Sequence, residues 1–412
     1  MQGPLFFKFH SPSVSAFGVA RTLILLDMIA ITFSPALVNL IELLLIITVV
    51  LSGALRSKII SACKQYFPIR ILLAFGCWML LATTWGDAPL ADRGHEIISW
   101  RKILLFPLVV ALVTDEFRKN MLYLVAVVGV SYTVASWAIS FSQDMVTPFV
   151  LMRSDVVQTI YLALSVFAVF TLMGLHRSSM PRWLWMFSVI LAGFLVVSIF
   201  NLTGRSGYLF LLVGLCCFSL LVFKRYRLLP VAAISVLGLV SLLAIPGPAQ
   251  EIQRGLDEIA AVTDPAQDPE FSSMGIRVVM WDHTIEMITN KPLLGSGAGS
   301  FEVDYGQVAE SRSEGWRAVR SSDPHQQFLH VAAEYGLVGL VLLMTFLASL
   351  VFRLRLDFCS VFGLSVLLGL CATSLFNGHL SSLVEGRIFW ILVPLFLCSK
   401  PGGIREVEAT GR

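Results

Sequence analysis

Apolar residues fall in blocks of about 18 to 22 along most of the chain, with short polar stretches between them. Blocks of that length match the hydrocarbon core of a bilayer. A closed β-barrel shows alternating segments of about ten residues instead. The pattern therefore predicts an all-α, polytopic integral membrane protein with about twelve transmembrane helices. Their expected positions are 17–35, 37–54, 69–86, 97–114, 121–141, 156–175, 183–201, 206–223, 229–246, 335–353, 358–376 and 384–398. One long polar interruption stands out. The expected organisation is nine spans over 1–246, a large structured loop over 247–334, three more spans over 335–398 and a tail over 399–412.

Composition excludes an ordinary soluble domain, since 56% of residues are hydrophobic and only 14% are charged. The net charge of +3 gives no reason to expect a nucleic-acid partner. Where the charge sits is more telling. Arg56, Lys58, Lys64 and Arg70 fill the second connection, Arg118 and Lys119 the fourth, Arg177 and Arg182 the sixth. Lys224, Arg225 and Arg227 fill the eighth, and Arg353 and Arg355 the tenth. Short basic connections stay on the cytoplasmic side, which also puts both termini there. The third connection, "GDAPLADRGHE", and the long loop then face outward. The first block is long and polar-flanked with no small-residue cleavage site after it, so it is read as a span rather than a signal peptide. All seven cysteines fall in spans or on the cytoplasmic side, so neither a disulfide framework nor a cysteine metal site is expected.

Several cations sit where the positive-inside rule disfavours them. Arg205 lies in "NLTGRSGYLF", Arg153 in "LMRSD", Arg387 in "SSLVEGRIFW", and Arg101 and Lys102 near the outer end of the fourth span. Two explanations compete. Each could snorkel to outer headgroups at small cost. Alternatively they hold an anion, and the planar fork of arginine suits phosphate oxygens. Five on one leaflet tilt the reading toward an anionic ligand.

In the long loop, "MGIRVVMWDHTIEMI" (274–288) puts Arg277, Trp281, Ile285 and Ile288 on one helical face. "GSGAGSF" looks like a phosphate cradle, but no strand precedes it and no Lys-Ser/Thr follows, so a tight glycine turn is the better reading. In "SSDPHQQFLHVAAEYGLVGL", Asp323 suits an N-cap, Pro324 the first helical position and Gln326 a capping box. His325 then falls in the first turn, where the helix dipole favours a neutral imidazole able to act as a general base. The plainer alternative is a histidine that helps cap the helix. His325 and His330 do not share a face, the His330–Glu334 pair reads as structural, and the outward carboxylates form no Asp-x-Asp cluster, so no metal and no cofactor are expected.

"GIRVVMWDHTIEMITNKPLLGSGAGSFEVDY" followed by "HQQFLHVAAEYGLVGLVLL" resembles the signature of the O-antigen ligase and polymerase superfamily. The likeness rests on an Arg, a Trp four later, a glycine-rich turn ending in Phe, and a His-led helix entry with "EYGLVG". "TGRSG" around Arg205 is similar to the family's arginine after the seventh span, and Gln326 departs from its usual Asn. The resemblance implies a multi-pass protein of the bacterial inner membrane with a periplasmic active site. It implies transfer of a glycan from undecaprenyl diphosphate, with Arg205 and Arg277 on the diphosphate, Arg153 or Arg387 as possible additions, and His325 as the essential histidine. Length and the single large loop favour a ligase acting on lipid A–core over a polymerase. A lipid-linked glycan transporter is the alternative from another class. It is disfavoured because transporters place ionisable groups near the midplane and often show paired halves.

Overall fold

The computed structural model describes residues 15–222, 246–263, 272–352, 354 and 356–398. The ninth expected span (229–246, all but its last residue), the basic residues of the eighth and tenth connections and the tail 399–412 lie outside them. Among the described residues every regular element is a helix.

The first helices follow the hydropathy closely. α1 (Ala16–Ala30) is capped by the Ser15 hydroxyl, and α2 (Pro35–Leu51) opens on proline behind a Ser34 cap. A second helix, α3 (Gly53–Gln65), occupies what sequence treats as a plain basic connection, bent 95° from α2. Its basic residues Arg56, Lys58 and Lys64 keep it polar enough to leave the direction of α2. α4 (Phe67–Ala82) follows.

The block expected as one span at 97–114 is broken. α5 (Leu90–Trp100) ends, residues 101–104 form a 3-10 turn, and α6 (Leu105–Leu112) resumes. The break falls on two cations with partners elsewhere. Arg101 Nε pairs with Glu42 at 2.8 Å, and Lys102 Nζ donates to the Ser381 carbonyl at 2.7 Å.

α7 (Asp115–Ser142), α8 (Asp155–Leu175) and α9 (Arg182–Phe200) are long and apolar enough to cross a bilayer. α10 (Arg205–Val222) packs on α8. Large apolar side chains on α9, including Trp183, Phe187 and Ile190, are exposed, as a lipid-facing helix requires. Beyond α10 come α11 (Pro246–Thr263), α12 (Ser273–Asn290), α13 (Phe301–Arg312), α14 (Gln327–Val351), α15 (Phe358–Thr373) and α16 (Val384–Leu397). α14 also passes the length and hydropathy test, giving four such helices among the described residues, or five if α2 and α3 count as one bent span. The described residues are all-helical, and the chain is a multi-pass membrane protein.

α14 is interrupted inside its length. Gly336 adopts φ 65° and ψ −174°, which breaks the backbone ladder. The "LLGSGAGS" turn repairs the break from outside. Ser296 N donates to Ala333 O at 2.8 Å and Gly297 N to Glu334 O at 2.9 Å. In return Leu337 N donates to Pro292 O at 2.8 Å. A Cβ on Gly336 would sit 2.1 Å from Leu293 O, so only glycine lets the two backbones meet. The glycine-rich stretch is therefore a docking turn, with these two amides already bonded to protein. A small core of Ile276, Met280, Met287, Phe301, Tyr305 and Ala333 joins α12, α13 and α14 above it.

Candidate functional site

A cavity of about 730 Å³ opens where α10, α11 and α12 meet the segment after α15, and Thr203, Arg205, Arg254, Arg277, Phe376 and Asn377 line part of it. Arg205 is the first residue of α10. Its position is fixed by close packing of the preceding backbone on α8, where Gly204 and Gly207 both abut Thr159. The Thr203 hydroxyl donates to Asp155, and Asn377 Nδ2 donates to Ser206 Oγ at 3.1 Å. These bonds hold the mouth of α10 against its neighbours.

Arg277 comes from α12, which Ser272 caps by accepting from Gly275 N. α11 lies over it, with Met274 N donating to Glu258 Oε2 at 2.7 Å. The Arg277 Nε is buried without a hydrogen-bond partner, and Nη1 reaches Met274 Sδ at 3.4 Å. Burial first, and the nearby Arg205 guanidinium second, lower the Arg277 pKa, opposed by Glu258 and Asp323. Two guanidiniums held near each other and partly desolvated make a strong place for an anion.

His325 is not in the first turn of a helix. The N-cap of α14 is Gln326, whose Oε1 accepts from Leu329 N at 2.6 Å, and His325 precedes it at φ 52°. The reason is local. Asp323 Oδ1 accepts from the His325 amide at 2.7 Å in place of capping a helix, and the Pro324 carbonyl accepts from Trp281 Nε1 at 3.0 Å. The dipole argument for a neutral imidazole therefore loses its first-turn geometry. His325 is half-buried and is not a lining residue of the cavity; its neighbour Pro324 is bonded by Trp281, whose ring lies 6.2 Å from the lining residue Phe376.

The remaining outer cations go elsewhere. Arg387 is fully buried, 2.8 Å from Asp27 Oδ2 and bonded to Glu42 as well, so it belongs to an internal ion network and not to the cavity. Sequence reading missed this because Asp27 and Glu42 lie on the first two helices, over 340 residues away. Arg153 is exposed and lines no part of the cavity. The cavity instead contains Arg254 and Asn377, which sequence reading did not single out. The one available signal for Arg254 was its place in the amphipathic "EIQRGLDEIA".

Residues 190–344 match the family model described as O-antigen ligase. This segment of the chain is similar to the O-antigen ligase family. Arg205, Arg254, Arg277 and His325 fall inside the matched segment, and Arg153 and Arg387 outside it. Members of this superfamily are membrane glycosyltransferase-like enzymes, ligases or polymerases. No curated protein matches the chain.

Proposed function

We propose that this chain is an O-antigen ligase, moving O-antigen polysaccharide from undecaprenyl diphosphate onto lipid A–core at the periplasmic face of the inner membrane. The observation that carries this reading is the cavity shared by Arg205 and Arg277, 72 residues apart in sequence. The donor brings its own leaving group, a lipid diphosphate. Departure needs cationic donors placed where charge develops. Arg205 and Arg277 fill that role, with Arg254 beside them.

In this reading the acceptor hydroxyl attacks the anomeric carbon from the face opposite the diphosphate. The bond from that carbon to the diphosphate oxygen breaks, its electron pair leaves with undecaprenyl diphosphate, and the configuration inverts. His325 takes the hydroxyl proton as general base. Guanidiniums supply the charge that a metal supplies in other diphosphate chemistry, so transfer proceeds without a divalent ion.

The test is product analysis of purified protein given lipid-linked glycan and lipid A–core, with and without chelator. Glycan appearing on lipid A–core in both conditions supports a metal-independent ligase. Glycan appearing on a second lipid-linked repeat makes the chain a polymerase. Glycan that never leaves its lipid carrier makes it a transporter and overturns the reading.

A further inference from the structure

Behind the glycine turn lies a second cluster that the cavity does not include. Glu96 of α5 and His330 and Glu334 of α14 each present one ligand atom, all within 4.8 Å of one another. His330 Nε2 stands 3.6 Å from Glu334 Oε1. His330 and Glu334 are 8% and 1% exposed, yet His330 Nε2 and Glu334 Oε2 have no hydrogen-bond partner. Sequence spacing pairs His330 with Glu334 alone, and the fold adds Glu96 from 234 residues upstream.

The surrounding bonds aim the carboxylates. Trp100 Nε1 and Tyr335 OH both donate to Glu96 Oε1, at 2.8 and 3.1 Å, and Phe301 N donates to Glu334 Oε1 at 3.2 Å. The Phe301 ring meets the His330 ring edge-on at 5.0 Å and closes that side with an apolar wall. Metal ligands are commonly oriented by such secondary hydrogen bonds. The two carboxylates and the imidazole converge on one point, where a cation would sit between the two acidic side chains.

We propose that Glu96, His330 and Glu334 bind one divalent first-row transition ion, with zinc the best fit. The donor set is two carboxylate oxygens and one imidazole nitrogen, a set that zinc accepts with a water in the fourth position. Metal–ligand bonds of about 2.0–2.2 Å put ligand atoms roughly 3.3–4 Å apart, so closure asks for movements of about an ångström or less. The ion ties α5 to α14 two residues before the Gly336 break, at the level where the glycine turn docks. None of the three residues lines the arginine cavity, so the ion is a structural clip and stands apart from the transfer chemistry.

The experiment uses full-length protein in detergent carrying a non-histidine tag. It is loaded with Zn²⁺ or Co²⁺, passed through gel filtration and assayed for metal content, visible absorption and thermal midpoint. The expected result is about one equivalent in the wild type, Co²⁺ ligand-field bands and a raised midpoint. Glu96→Gln, at a half-buried position, is expected to weaken binding tenfold or more. Three results overturn the proposal: no retained metal in the wild type, retention unchanged in Glu96→Gln, or a midpoint indifferent to zinc. Transfer activity enters none of these readouts, so failure here leaves the ligase reading untouched.

Discussion

Arg205 and Arg277 face one cavity from two different helices, and the Arg205 charge adds to burial in lowering the Arg277 pKa. If they grip a diphosphate, lysine at either position keeps the charge but loses the fork. A hydrogen bond to a charged group contributes about 1.5–3 kcal/mol, so Arg205→Lys and Arg277→Lys should each lose roughly ten- to a hundredfold in transfer. Arg153→Lys, exposed and outside the cavity, should remain near wild type. Initial rates with lipid-linked donor decide it. Equal activity in all three removes the clamp.

His325 holds a positive φ of 52°. Asparagine tolerates that region far better than most residues. His325→Asn should therefore keep the fold while losing about 10²- to 10⁴-fold in transfer, the usual cost of removing a general base. Thermal midpoint and transfer rate are measured on the same preparation. Full activity in a well-folded His325→Asn returns the residue to a structural role.

Arg387 neutralises Asp27 and Glu42 inside the helical core. Arg387→Ala leaves two buried carboxylates without their partner, which typically costs about 3–5 kcal/mol. The expected outcome is poor accumulation in the membrane. An Asp27→Asn companion should relieve part of that loss by removing one of the stranded charges. A stable, inactive Arg387→Ala would instead place Arg387 at the donor.

Gly336→Ala puts a methyl group against Leu293 O at a backbone angle that alanine avoids. Strain and collision together should cost at least about 2 kcal/mol. The glycine turn should then detach from α14, which limited proteolysis near residues 292–299 can detect. An unchanged cleavage pattern would mean that the break tolerates a side chain.

His283 ties α12 to α13, with Nδ1 3.2 Å from Tyr305 OH and Nε2 3.1 Å from Ser313 Oγ. Burial, then Arg312, lower its pKa below the ordinary 6.5. The unfolded chain therefore binds this proton more readily than the folded one. Its contribution is fully present above about pH 6.5 and is lost as pH falls from there toward the folded pKa. Thermal midpoints at pH 7.5 and 5.5 should differ less in His283→Asn than in the wild type. An identical pH dependence in both would assign the effect to other groups.

The sequence by itself determined the helical membrane class, because block length and hydropathy act locally and a bilayer accepts few other solutions. It also determined that "GSGAGSF" makes a turn, and it marked Arg205 as an outward cation and His325 at a helix entry, while Arg277 took its expected role only from the family resemblance. Tertiary structure decided what hydropathy cannot carry. The span expected at 97–114 broke because Arg101 and Lys102 found partners on Glu42 and Ser381. His325 left the first turn because Asp323 bonded its amide in place of capping. Arg387 and Arg205 are both arginines near helix ends, and hydropathy alone does not separate them. Only the fold sends one to Asp27 and Glu42 and the other to a cavity with Arg277, because both outcomes depend on side chains hundreds or tens of residues away.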